Sequence, residues 1–334
     1  MLARARAAPY TPRMPTPRRP ARTGSRAARG DAPRGRALRP PRASAWLTRR
    51  AEAEGSELTR VKRALAERGL APLKRMGQNF LVRADLAARI VEHCRVEPRD
   101  VVVEIGPGAG ALTPGLAARA RAVVAVEKDA GLAALLREEL AEQPRVEVVE
   151  GDFLEFDLAA VARAHGAGRL IVAGNIPYNI TTPLLERIFE QKRVVGTAVL
   201  LVQKEYAERL AAAAGTPEYG SLTLFARYHA LLEPLLVVRA SAFWPRPDVD
   251  SMLVRFRLRE EPPVEADETL LFRVVRGAFQ MRRKQLANTL AGSLGLDRDG
   301  VERLCRAAGV DGRRRGETLT LDEFAKLARA AERG

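Results

Sequence analysis

Val101-Val-Val-Glu-Ile-Gly106-Pro-Gly108-Ala-Gly110-Ala-Leu-Thr113 is the stretch that decides the fold. A β-branched apolar run ends in closely spaced glycines and a helix-compatible sequence follows, so the reading is strand, tight turn, helix. Glycine there lets the backbone turn sharply and come close to a ligand lying over the helix N-terminus. Gly106, Gly108 and Ala111 satisfy the dinucleotide pattern G-x-G-x-x-G/A, and no lysine follows Gly110, which excludes a P-loop. Glu127 closes a second β-rich run, 21 residues after Gly106, where a carboxylate accepts hydrogen bonds from two ribose hydroxyls. These features suit a nicotinamide dinucleotide and S-adenosylmethionine equally. A glycine turn that only joined a strand to a helix would not require Glu127 at this distance.

Outward from this stretch, Ala122-Val-Val-Ala-Val126, Val146-Glu-Val-Val149, Leu170-Ile-Val-Ala173 and Thr197-Ala-Val-Leu-Leu-Val202 are further short β-rich runs separated by helical patterns or glycine turns. Such alternation predicts an α/β fold with a mostly parallel sheet covered on both faces. Ser251-Met-Leu-Val-Arg-Phe-Arg-Leu258 alternates apolar and basic residues and predicts an edge or antiparallel strand. Upstream, Ser56 is an N-cap for a helix carrying Leu58, Val61 and Leu65 and stopped at Gly69. Beyond Glu260-Glu-Pro-Pro263 only helical patterns remain, over 270–290, 299–308 and 321–331. The expected organisation is a tail (1–55), an α/β domain (56–260) and a helical domain (264–334).

The chain has 334 residues, 46% hydrophobic and 29% charged, enough to bury a substantial core. Of its formal charge of +15, +13 lies in the first 50 residues, where 14 arginines face Asp31 alone. The remainder is nearly balanced, so the sequence pI of 10.7 describes the tail and is no argument for nucleic-acid binding by the folded part. Eight prolines and few aliphatic residues leave the tail unable to repay its ordering entropy, and residues 1–55 are expected to be disordered. It reads as a functionless extension, a basic RNA-binding arm, or a transit peptide whose prolines spoil an amphipathic helix. Cys94 and Cys305 are too few for a disulfide framework and wrongly spaced for a metal, which points to a reducing cytoplasm. The longest apolar run, 194–202, is half the ~20 residues that a membrane span needs. His93, His165 and His229 are isolated, which fits surface or packing roles.

Two further sites bear on chemistry. Asp152, in Glu150-Gly-Asp-Phe153 after the third strand, stands where it would accept from the exocyclic amine of a cofactor's adenine; the alternative is a turn or helix cap. Gly174-Asn175-Ile176-Pro177-Tyr178-Asn179 follows the fourth strand at the carboxyl edge, where open α/β sheets bind ligands. Nicotinamide chemistry has no use for this loop. An adenine amine is a poor nucleophile because its lone pair is delocalised into the ring, so attack on a methyl sulfonium requires acceptors for its protons and a surface to hold the base. The Asn175 side-chain oxygen and the Pro177 carbonyl are such acceptors, and Tyr178 is a stacking surface; the rate gain is orientation and electrostatics.

From about Thr59 to the C-terminus the sequence resembles the ribosomal RNA adenine N6,N6-dimethyltransferase family in its bacterial small-subunit form. Lys74-Arg-Met-Gly-Gln-Asn-Phe-Leu81 resembles the family's N-terminal signature, and Asn79, Leu81, Gly106, Glu127, Asp152 and Asn175 match its cofactor positions. Ser241-Ala-Phe243-Trp-Pro-Arg-Pro-Asp-Val-Asp-Ser251 resembles a later loop in which Phe243 would cover the second face of the target adenine. Phe279-Gln-Met-Arg282-Arg283-Lys284-Gln-Leu-Ala-Asn288 resembles the basic helix that opens the family's helical domain, which marks Arg282, Arg283 and Lys284 as RNA-binding. The resemblance implies a Rossmann-like S-adenosylmethionine-dependent methyltransferase domain with a small C-terminal all-helical domain. It implies Asn175, Pro177, Tyr178 and Phe243 as catalytic residues, and dimethylation of two adjacent adenosines in a hairpin loop near the 3′ end of 16S rRNA during small-subunit assembly. Splayed loop bases suit stacking on Tyr178 and Phe243. No metal, no membrane, a monomer and a cytoplasmic location complete the expectation. Met76 and Asp248 depart from the family's usual aromatic or leucine and lysine, and Asp248 bears on one substrate-phosphate contact.

Three rival readings differ in substrate or class. The related large-subunit (23S) methyltransferases share the fold and the Asn-x-Pro-Tyr loop, but the 74–77 and 243–251 segments favour the small-subunit type. An N6-adenine DNA methyltransferase usually carries a target-recognition domain that this chain has no room for. A noncatalytic assembly factor would not need an intact loop from Asn175 to Tyr178.

Overall fold

The computed structural model describes residues 56–73, 76–281 and 283–333; the tail read as disordered lies outside the described residues, as do Lys74, Arg75 and Arg282. Helix α1 (Glu57–Ala66) begins as its cap predicts, the Ser56 hydroxyl accepting from the Thr59 N–H at 3.3 Å. Strand β1 (Phe80–Leu81) and helix α2 (Ala84–His93) lead into the sheet. There β2 (Val101–Ile105), β3 (Ala122–Glu127), β4 (Val146–Glu150), β5 (Leu170–Asn175) and β6 (Val195–Gln203) alternate with α3 (Thr113–Ala117), α4 (Ala130–Glu139), α5 (Leu158–Ala164) and α6 (Thr181–Glu190). After β6 come α7 (Lys204–Ala211), α8 (Ser221–His229), β7 (Ala230–Val238), β8 (Phe243–Trp244) and β9 (Ser251–Leu258).

The large sheet runs β4-β3-β2-β5-β6-β9-β7, with β4 to β6 parallel and β9 and β7 antiparallel to their neighbours. Its interior parallel strands are largely apolar on both faces because both are covered. Val101, Val103 and Ile105 pack into the layer that holds α5 and α6, while Val102 faces α2 and α3. Strand order reverses between β2 and β5, so a crevice opens beyond their carboxyl ends, where the glycine motif and the Asn175 loop emerge.

Two expectations about elements change. Strand β9 is antiparallel as read, but it is interior, because β7, whose Pro234 concealed it in the sequence, forms the edge. The alternation of β9 is correspondingly deceptive: Arg255 is only 3% exposed, bound to Glu233 at 2.6 Å and to the His93 carbonyl at 2.6 Å. The helical pattern over 270–290 divides into α9 (Glu268–Phe279) and α10 (Leu286–Leu294). Arg283 and Lys284 thus lie in the turn between helices and not on a basic helix. The chain breaks there because the N–H groups of Leu286 and Ala287 are taken by the carbonyls of Arg314 and Gly312, a long-range contact that periodicity cannot reveal.

Helices α11 (Arg298–Ala308) and α12 (Leu321–Arg333) complete the helical layer. Its core includes Leu271, Val275, Leu290 and Phe324, but also Tyr219, Leu224 and Tyr228 from in and beside α8. The Tyr219 hydroxyl donates to the Leu319 carbonyl at 2.7 Å, so α8 seats the helices on the α/β layer.

Candidate active site

One cavity of about 400 Å³ lies in the crevice beyond β2 and β5, a size suited to a cofactor-scale ligand. Asn79, Leu81, Gly106, Glu127, Asp152, Asn175, Pro177 and Tyr178 all line it. They come from segments a hundred residues apart, brought together because β2 and β5 are neighbours in the sheet.

At the glycine end the loop is pinned by its own N–H groups. Gly106 donates to the Val126 carbonyl (2.9 Å), Gly110 to the Pro107 carbonyl (2.9 Å), and Gly108 to Glu127 Oε2 (3.0 Å). Gly108 has φ +57, a conformation that favours glycine, and a Cβ there would stand a tight 3.1 Å from the Phe80 ring. Glu127 also accepts from the Asp129 N–H at 2.9 Å. Burial pushes its carboxyl above the usual range, and these two N–H groups oppose that shift. A carboxylate oxygen has lone pairs for a second acceptance, so Glu127 keeps capacity for ribose hydroxyls. Asp152 is a turn cap, the alternative reading of it, with Oδ1 accepting from the Leu154 N–H at 3.0 Å, while Oδ2 meets Lys128 at 2.7 Å and the residue borders the cavity. Buried Glu104 and Glu127 line the cavity together with Asp152, Arg60 and Lys128.

At the other end, the Asn175 amide donates from Nδ2 to the Asn79 carbonyl at 2.9 Å, which leaves Oδ1 as the acceptor for a ligand amine. Gly77, at φ +64, passes against the same loop, where a Cβ would lie 3.3 Å from Asn179 Oδ1. Tyr178 is half-buried, and its hydroxyl lies 2.7 Å from Ser251 Oγ. Burial raises its pKa, so the phenol stays neutral.

Phe243 departs from its expected place. It is not among the cavity's lining residues and is only 4% exposed. Strand β8 pairs antiparallel with β1, Phe243 opposite Leu81, and this turns the ring into the apolar layer with Ala87 and Leu253. The basic residues Arg283 and Lys284 are exposed, well apart in sequence and element from the cavity, and Arg282 lies outside the described residues.

Against this geometry, the model of the family described as ribosomal RNA adenine dimethylase matches residues 72–329. The chain belongs to the ribosomal RNA adenine dimethylase family. The dimethylase is 44% identical over 273 residues to a ribosomal RNA small subunit methyltransferase A from Moorella thermoacetica, covering 80% of this chain and 94% of that one. A protein of the same name from Geobacter metallireducens is 44% identical over 264 residues, covering 78% and 96%. Among solved structures, the 23S rRNA methyltransferase ErmE superposes with TM-score 0.58 at 30% identity, covering 76% of this chain and all of that one. A dimethyladenosine transferase from Plasmodium falciparum has TM-score 0.62 at 23% identity, over 73% and 94%, a likeness of fold. The choice left open by the glycine motif closes here: the cofactor of this dimethylase is S-adenosylmethionine.

Sequence reasoning missed two polar residues of the dimethylase site. Arg60, in α1 and ahead of the family match, donates to the Ala109 carbonyl within the glycine loop at 2.9 Å while bound to Glu57 (2.9 Å) and Glu139 (3.0 Å). Ser251 reaches Tyr178 across 73 residues. Ser251 closes the 241–251 stretch, but its role, like that of Arg60, is not legible locally because the contacts to Tyr178 and Ala109 are distant in sequence.

Among the described residues, no helix is long and apolar enough to cross a membrane, and no group of three or more His, Cys, Asp or Glu could hold a metal ion.

Proposed function

We propose that the protein dimethylates N6 of two adjacent adenosines in a hairpin loop near the 3′ end of 16S rRNA, within the immature small subunit, as a cytoplasmic monomer. The observation that carries this reading is the Asn175–Tyr178 loop, whose amide oxygen is left open to a base amine in the same cavity as the ribose-type acceptor Glu127. S-adenosylmethionine, when bound, supplies an electrophilic methyl group on sulfur. Glu127 holds its ribose, Asp152 faces its adenine, and Asn79, Leu81 and Gly106 shape the remaining wall. The Asn175 oxygen and Pro177 carbonyl draw the amine's protons aside so that its lone pair faces the methyl group, and Tyr178 holds the base by its ring face. Phe243 would serve as the second face only after its ring leaves the core. Arg282, Arg283 and Lys284 provide phosphate contacts on the helical domain, and the 1–55 tail is dispensable.

Identity favours the small subunit over the large. The relatives named for the small subunit reach 44%, against 30% for ErmE. The test is methyl transfer from S-adenosylmethionine onto unmethylated 30S particles, 50S particles and duplex DNA. Dimethyladenosine on 30S alone is expected; preferential modification of 50S particles or DNA overturns the assignment, and tight 30S binding without transfer supports an assembly factor instead.

A further inference from the structure

Ser251 opens β9, is wholly buried (0% exposed), and pairs with Gln203 of β6 on one side and Val238 of β7 on the other. The preceding Asp250 accepts the Lys204 N–H on its carbonyl (2.9 Å) and the Ala240 N–H on Oδ1 (2.9 Å), which knits this corner to the start of α7 and to the turn before β8. Tyr178 stands on a different footing, in a three-residue turn after β5, and among the described residues no aromatic ring packs against it. Its carbonyl accepts from the Thr181 hydroxyl at 3.2 Å, and its ring end is held by the 2.7 Å hydrogen bond between its hydroxyl and Ser251 Oγ.

We infer that Ser251 is a positioning residue for methyl transfer, holding the Tyr178 ring where it receives the target base. The inference rests on the reading of Tyr178 as the base-stacking residue. A tyrosine on a half-buried turn beside an open cavity has more than one side-chain rotamer, and a bond at the far end of the ring selects one of them. The cavity then meets a ring already in place, and the ordering cost does not fall on the bound complex. Because burial keeps the phenol neutral, the bond persists across the working pH range. Ser251 lines no part of the cavity and takes no part in proton movement; it acts through Tyr178 alone.

The test is a double-mutant cycle of S251A and Y178F, measuring turnover and KM on unmethylated 30S particles together with S-adenosylmethionine affinity. Y178F keeps the ring face and removes only the bonded hydroxyl. S251A and Y178F should each lower turnover about tenfold, and the double variant no further than either, since one bond is lost in all three. KM and cofactor affinity should stay within about twofold of the parent. The inference is overturned by parent turnover in S251A or Y178F, by losses that multiply in the double variant, or by a parallel loss of cofactor affinity. If S251A does not fold, Y178F decides alone. A parent protein that transfers no methyl group overturns the functional reading and this inference together, whereas an active parent with a fully active S251A overturns this inference only.

Discussion

The two ends of the cavity are built on different principles. The end read as holding the cofactor is built mostly within adjacent strands: Gly106, Gly108 and Gly110 bond to β3 and to their own turn, Glu127 ends the strand adjacent to β2, and Arg60 adds a tether from α1. The target end is tied from afar, with Asn175 held by the Asn79 carbonyl, 96 residues away, and Tyr178 by Ser251, 73 residues away. A site assembled within neighbouring strands tolerates change elsewhere in the molecule. A loop tethered by distant partners fails when any tether is cut, even one remote from the reacting atoms.

The sharpest way to break this comparison is Y178A. It should lower methylation of 30S particles about 10²-fold, as loss of a positioned group at a reacting centre does, with cofactor affinity within about twofold of the parent. Equal losses in both would merge the two ends into one functional unit.

E127A comes next and should do the reverse, weakening S-adenosylmethionine binding at least about tenfold by calorimetry, since hydrogen bonds to a charged group are worth about 1.5–3 kcal/mol each. Glu127 also has a pH signature. Its folded carboxyl is raised by burial, so on acidification it takes up a proton earlier than an ordinary glutamate, and cofactor affinity should fall at correspondingly higher pH. The folded state then binds more protons than the unfolded one, so Glu127 costs stability at neutral pH and the cost is relieved on acidification. E127A should remove both dependences; a parent affinity flat down to the ordinary carboxylate range would contradict the burial argument.

R60A probes the tether on the cofactor end that lies outside the family match. Arg60 is largely buried and holds the Ala109 carbonyl, so its loss should weaken cofactor binding about three- to tenfold while turnover at saturating cofactor stays near the parent value. A fall in turnover without a change in affinity would assign α1 to the target end.

The smallest catalytic effect is expected at the seat of the helical layer. His229 lies 5% exposed among Phe189, Phe225, Tyr228 and Phe272, and burial lowers its pKa to about 4. The unfolded chain takes up a proton near pH 6.5 that the folded chain refuses, so stability falls as pH drops from about 6.5 toward 4, by about 3 kcal/mol from this group. H229F should flatten that part of the stability curve in chemical denaturation and leave methylation at neutral pH intact. An unchanged curve would mean that His229 is protonated in the fold.

Much of the α/β layer could be read directly. The interior strands β2, β3, β5 and β6 are apolar runs of ordinary length whose double-sided burial shows as near-continuous apolarity, while the edge strand β4 mixes Val with Glu and is only partly buried. β7 could not be, since its Leu-rich run is broken by Pro234 and reads as neither period. The two-residue strands β1 and β8 exist only as each other's partner, and their pairing turns Phe243 inward, against the expectation from its motif. The basic turn at 283–284 was read as helix because nothing local announces that Arg314 and Gly312 will claim the next helix's first donors.

The sequence by itself therefore determined which residues could hold a ribose, accept an amine's protons and stack on a base, because each role rests on side-chain chemistry and on short-range strand and turn patterns. Only the tertiary structure decided how those residues are held: which way the Asn175 amide points, what fixes Tyr178, that Phe243 is packed away, and that Arg60 reaches the glycine loop. The physical reason is that orientation comes from hydrogen bonds and packing between segments far apart in the chain, and such contacts leave no periodic trace in the residues that make them.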